Sequence, residues 1–273
     1  MSFKGGVLGI SYAIGGAVRD ASQGTNLASG DPSDPTQVQV QSELFKLRNE
    51  FLTIAWGNRR GTGTAIGIGV VVARQSIGDR FFQRVVDGGG NPIGITSTDE
   101  SEVGTGVGGI IGVQFIPAGN PNLSMGVSYR SEIKLSGFDV LSAFSNAIPA
   151  RLQGGFAWRV DNLRGGRDYL IGGVDASYFF PANKGRILER DGQISAGTGF
   201  EYNWAQSWGY LPIRVGYRYT DKGGEGFTKR DALTFGVGYR PHNGALGIDI
   251  AIGVSSGQKS PNFTASATFQ IGK

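Results

Sequence analysis

The chain has 273 residues, a formal net charge of +4 and no cysteine. The small charge comes from scattered Arg and Lys, which gives no basic patch for nucleic acid, and the missing cysteine excludes disulfides and thiolate metal sites. The 47 glycines follow no Gly-X-Y period, which excludes collagen, and aromatics at 11% along the whole chain argue against disorder.

In chain order, the first half is noisy. Strands are expected near 5–16, 44–58, 62–74 and 104–116, with Ile66, Ile68, Val70 and Val72 as the clearest face. The Gly-rich stretch Met1 to Ala17 reads as a strand rather than as a signal peptide, which places residue 1 after processing or truncation. Between the third and fourth strands, 75–103 is expected to be a long loop. In it Ile77, Phe81 and Val85, joined by Phe82 and Val86, recur at the spacing of a short amphipathic helix. The alternation then becomes regular. Leu123, Met125, Val127, Tyr129, Ile133 and Leu135 form one face, opposite Ser124, Gly126, Ser128, Arg130, Glu132 and Lys134. A second loop, 136–149, carries Phe138, Leu141 and Phe144 at helical spacing. Seven further alternating segments follow, through Leu152–Val160, Leu170–Phe180, Ile194–Trp204, Leu211–Tyr219, Leu233–Tyr239, Leu246–Ile252 and Phe263–Ile271.

Each segment sets a greasy face against a small or charged one. This period of two, over roughly ten residues, is the signature of a strand that crosses a bilayer with lipid on one side and a polar lumen on the other. No run approaches the ~18 apolar residues of a membrane-spanning helix, but closed barrels need none. The segments predict a single all-β domain over 1–273, an antiparallel up-and-down transmembrane barrel of about twelve strands, with a range of ten to fourteen. Connections alternate between short (such as Arg59–Gly61 and the Asn243-Gly244 hairpin signal) and long, as expected for periplasmic turns and outer loops. Tyr129, Trp158, Tyr169, Tyr178, Phe180, Tyr202, Trp204, Trp208, Tyr217, Tyr219 and Tyr239 sit near strand ends, as interfacial girdles do. The predicted location is the outer membrane of a Gram-negative-type bacterium, with membrane lipids as partners and no nucleic acid.

The chemistry motifs point away from an enzyme. The lone histidine, His242, lies in a predicted turn, so a triad, a histidine zinc site and a histidine general base all lack parts. Gly104-Thr105-Gly106-Val107-Gly108-Gly109 matches the G-x-G-x-x-G spacing of dinucleotide sites, yet a strand follows where a helix is required. No cofactor is expected. The inward faces place Arg130, Glu132, Arg159, Asp175, Glu201, Arg214, Arg218 and Asp249 in the lumen, either as mutually satisfied pairs or as a polar path.

Gly126-Val127-Ser128-Tyr129-Arg130-Ser131-Glu132-Ile133-Lys134-Leu135-Ser136-Gly137 resembles a strand of the FadL-type long-chain fatty-acid transporters. Ile148-Pro149-Ala150-Arg151-Leu152-Gln153-Gly154-Gly155 resembles the start of a further strand of that family. Arg214-Val215-Gly216-Tyr217-Arg218-Tyr219 and Phe235-Gly236-Val237-Gly238-Tyr239-Arg240 are similar in style, and the resemblance covers roughly 50–273. It implies a barrel whose hydrophobic ligands land in a groove between two outer loops, enter the lumen and leave by a lateral gap in the wall. Carried to this chain, 75–103 and 136–149 would be those loops, with Phe81, Phe82, Val85, Phe138, Leu141 and Phe144 lining the groove. The sequence departs from the family in three ways: it shows no N-terminal plug signature, two strands fewer, and no terminal aromatic.

Three functions follow as expectations. The first is passive uptake of a hydrophobic small molecule, with a fatty-acid-like ligand. The second is a structural or adaptor barrel bound to other envelope proteins. The third is a small porin with an Arg-rich lumen.

Overall fold

The structure, a computed structural model, describes residues 2–3, 6–27, 37–60, 63–89, 91–224, 228–242, 246–256 and 262–269. Twelve long strands follow one another in unbroken antiparallel order, preceded by the two-residue arm Ser2–Phe3. They are β1 (Gly6–Leu27), β2 (Gln37–Arg60), β3 (Thr64–Val86), β4 (Pro92–Phe115), β5 (Leu123–Arg130), β6 (Arg151–Asn162), β7 (Asp168–Phe179), β8 (Gln193–Gln206), β9 (Gly209–Thr220), β10 (Arg230–Pro241), β11 (Leu246–Ser255) and β12 (Asn262–Phe269). The sheet curls on itself, since one cavity is lined by residues as far apart in strand order as Ile14 on β1 and Arg230 on β10. This is the antiparallel barrel expected from the alternation. The expected Asn243-Gly244 turn lies outside the described residues.

The fold is inside out relative to a soluble domain. Outward-facing side chains of the middle strands are large and apolar and stay exposed: Ile66, Ile68 and Val70 on β3, Val127 on β5, Phe200 on β8, Val215 on β9, Phe235 on β10, Ile250 on β11. An exposed apolar surface that continues from strand to strand is costly in water and is the lipid-facing band of a membrane barrel. At the long-loop end of the band, Tyr129, Tyr178 and Phe180 pack edge to face, and at the short-turn end Trp208 stacks on Tyr239. Tyr169 departs from the girdle: it stands beneath the Arg159 guanidinium and packs edge-on against Tyr210.

Two expectations are corrected. First, 75–103 is not a loop with a helix. It is the far halves of β3 and β4, with ladder pairing from Gln75↔Gly104 out to Val86↔Pro92. Spacing of four residues is ambiguous, because an even step also returns to the same strand face. The side chains of Ile77, Phe81 and Val85 share a face either way. The ladders to β2 on one side and β4 on the other decide for the strand. Strands β1 to β4 therefore have 22 to 24 residues against 8 to 14 for the others. Their extra ~11 residues carry the sheet about 35 Å past the apolar band.

Second, the alternation of β5 does not run on to Leu135. After Arg130 the chain makes an irregular step through Ser131–Glu132, where Ser131 donates its N–H to the Gly109 carbonyl and accepts from the Gly109 N–H on its hydroxyl, and the phase slips by one residue. Ile133 then turns inward and is fully buried, while Glu132 and Lys134 are exposed. Residues 133–134 pair with Ala147–Ile148, and the chain stays beside β4 through the Thr105–Ser136 bridge. The one helical element expected in 136–149 is present as the single 3-10 turn Val140–Ala143.

Candidate functional site

Among the described residues, one chamber lies toward the short turns and another at the long-loop end. The lumen-facing residues of the first are mostly small: Ala55, Gly67, Gly112, Gly155, Ala157 and Gly173 among them. Side chains this short leave the middle of the barrel open.

A belt of charge stands on one side of that chamber. Arg214 on β9 donates to Glu201 on β8 and, at 2.5 Å, to Asp249 on β11. Glu201 also accepts from Arg240 at 3.0 Å and from the Asn203 amide at 2.9 Å. Arg218 donates to both oxygens of Asp175 at 2.9 Å. Arg159 pairs with Asp161 at 2.6 Å. Of the eight lumen residues expected from sequence, Asp175, Glu201, Arg214, Arg218 and Asp249 thus join ion pairs across the lumen-facing wall. Arg159 pairs near the short-turn end, Arg130 lies in the other chamber, and Glu132 joins no ion pair among the described residues. The strand ladder makes the belt, since the Glu201↔Arg214 register puts opposite charges side by side on one face.

Residues 131–149 fold over the inner faces of β2 to β4 at the long-loop end as a cap. Ile133 packs on Val71, Ala73 and Ile148, with Phe51 and Ile110 around them. Leu141 packs on Leu47 and Ile77, with Phe45, Phe138, Phe144 and Leu188 around them, and the Phe45 and Phe144 rings stack at 5.3 Å. Burying Ile133 and Leu141 contributes roughly 1.5–3 kcal/mol each. The seat for this cap is the glycine motif of β4. A Cβ at Gly106 would stand 2.2 Å from the Lys134 carbonyl oxygen, and one at Gly104 or Gly108 would run into Phe138 or Ile133. The G-x-G-x-G run is a docking surface for backbone and rings, not a phosphate cradle.

Glu102 and Asn183 fasten the cap. The Glu102 carboxylate accepts from the backbone N–H groups of Asp139, Val140 and Leu141 at 2.8, 3.0 and 3.2 Å. Asn183, held at φ 58°, accepts on Oδ1 from the N–H groups of Asn146 and Ala147 at 3.0 and 2.9 Å and donates through Nδ2 to the Ala147 carbonyl. Replacing Asn183 with Ala removes these bonds and strains the left-handed backbone. A loss of about 2 kcal/mol is expected, and faster hydrogen exchange in 140–149 is the measurement that checks it.

Of the six groove residues expected from sequence, Phe138, Leu141 and Phe144 come together under the cap. Phe81 and Val85 share the inward face of β3 with Ile77, one and two steps of four residues further out. Phe82 lies on the opposite face.

The barrel resembles solved structures. Over 85% of this chain and 68% of the other, it superposes on a FadL homologue of Pseudomonas aeruginosa with a TM-score of 0.50 at 12% identity. Over 92% and 82%, it superposes on the monoaromatic hydrocarbon channel CymD with a TM-score of 0.51 at 10% identity. The chain has the fold of the FadL-type channels. No protein-family model matches the sequence, and no curated protein matches it at a significant level. The FadL-type fold is therefore legible in the backbone where sequence identity has fallen to about a tenth.

Proposed function

We propose that the chain is an outer-membrane channel for the passive uptake of hydrophobic small molecules. The observation that carries this reading is the apolar cap over an open lumen. The half-buried Phe138 and Phe144 rings lie over the buried cluster Leu47, Ile77 and Leu141 and form a greasy patch at the outer end of the barrel, and the Gly- and Ala-lined chamber lies beyond it. An apolar solute gains about 25 cal/mol for each Å² removed from water, so a patch of this kind concentrates it without any covalent chemistry. The fold shared with a hydrocarbon channel supports the same reading. Capture between Phe81 and Val85 on β3 and Phe138 and Phe144 on the cap is the first step, and Phe82 takes no part.

The test is binding of a neutral fluorescent hydrocarbon to the purified barrel. Phe81→Asp combined with Phe144→Asp is expected to lower affinity at least tenfold while heat-modifiable gel migration shows a folded barrel. Unchanged binding by that double variant would refute the capture site.

A further inference from the structure

The chamber at the long-loop end carries a feature that passage of neutral molecules does not need. It measures about 790 Å³, and Arg130, Arg151, Arg190, Arg218 and Arg230 all line it, with no Asp or Glu among the described lining residues. Arg218 reaches the carboxylate of Asp175 behind it. Arg130 donates to the Pro149 carbonyl at 2.9 Å and lies over the Phe51 ring at 5.0 Å. Arg151 donates to the Ser177 hydroxyl at 3.4 Å and lies over the Phe179 ring at 5.1 Å. Neither forms an ion pair among the described residues, and the Nε of each is buried without a hydrogen-bond partner. Arg190, on the loop after β7, is pulled down to about 10 by burial and then by the charges of Arg130 and Arg230. The lining also carries apolar side chains, Ile14, Leu47, Phe51, Ile148 and Leu188, beside the polar Asn49 and Gln75.

A buried donor left without a partner is destabilising, and crowded like charges add to that. Planar guanidinium forks match oxyanions through paired N–H bonds. Two negative charges would match Arg130 and Arg151, whose Nε groups are buried without a hydrogen-bond partner. We propose that this chamber is a binding site for an oxyanion carrying at least two negative charges, of the phosphate-monoester type, with the apolar side chains of its lining receiving any hydrocarbon attached to it. The proposal relies on the channel reading only for how such a ligand reaches the chamber.

The experiment is calorimetric titration of the full chain in nanodiscs at pH 8 with octyl phosphate, octanoate, octanol and inorganic phosphate. Octyl phosphate is expected to bind at least ~10-fold tighter than octanoate, a difference of about 1.4 kcal/mol. In Arg130→Gln/Arg151→Gln that preference disappears while octanol affinity is unchanged. Inorganic phosphate matching octyl phosphate would assign the site to the free ion, and weaker binding would assign it to an amphiphile; both uphold the dianion site. Octanoate binding as tightly as octyl phosphate in the wild type, a ranking that needs no variant, would overturn it. So would a preference that survives in the double variant. Equal binding of all three alkyl probes would overturn this site but leave the channel reading intact, whereas binding of none would sink both.

Discussion

Replacing Gly106 with valine is expected to expel residues 131–149 from the barrel. The inward face of β4 at this position has no room: a Cβ there would meet the Lys134 carbonyl oxygen at 2.2 Å and the Ile133 side chain at 2.7 Å. The first of these is backbone, fixed by the ladder of 133–134 with 147–148 and by the Thr105–Ser136 bridge on either side, so it cannot swing away as a side chain would. Overpacking of this kind costs about 1–3 kcal/mol where a core can adjust. Burial of Ile133 and Leu141 is worth a similar amount, so release of the cap is the cheaper outcome. The β3–β4 ladder itself should survive, because valine suits a strand. Limited proteolysis is the readout, with cleavage within 131–149 at least tenfold faster than in the wild type and the rest of the barrel resistant. Protection equal to that of the wild type would show that the cap is seated elsewhere.

The second large effect is expected at the charge belt. Glu201→Gln keeps the shape of the side chain but leaves Arg240 without its carboxylate and Arg214 with only Asp249. Breaking a fully buried pair costs about 3–5 kcal/mol. The Arg214 and Arg240 side chains are 26% and 39% exposed, so water in the lumen offsets part of that, and a loss of about 2 kcal/mol is expected. Urea unfolding in lipid vesicles measures it. The companion Glu201→Gln/Arg240→Gln variant should lose less than the sum of the two single changes, because removing both partners strands no charge. Strict additivity would mean that the pair contributes nothing to the wall.

The barrel itself was legible because lipid on one face and lumen on the other impose a period of two that nothing else in the chain imitates. Beyond the bilayer that constraint lapses. In Thr96-Ser97-Thr98-Asp99-Glu100-Ser101 both faces meet water, no alternation marks the strand, and the far halves of β3 and β4 read as a loop. Ile77, Phe81 and Val85 misled for a related reason, since steps of four residues keep one face in a strand as well as in a helix. The reversal at Ile133 was hidden because a single irregular step flips every later side chain, and its cause, contact with β4 some 25 residues earlier, is not local. A signal was present all the same. Gly104, Gly106 and Gly108 at alternate positions give one strand face with no side chains, and a bare face invites something to lie on it. Alternation alone placed Asp175, Glu201, Arg214 and Arg218 on the lumen face, but which of them pair is set by strand register, and Asn183 and Glu102, which hold the cap through backbone N–H groups, belong to no recognisable motif.

The most direct test of the channel reading is native mass spectrometry of the protein extracted from its own membrane in mild detergent. The expected spectrum shows the barrel with an excess mass of a few hundred daltons that dissociates as an apolar or amphiphilic small molecule, and this adduct disappears in Phe81→Asp/Phe144→Asp. A barrel that carries no small molecule and co-isolates with another protein at fixed stoichiometry would contradict it and identify an assembly subunit instead.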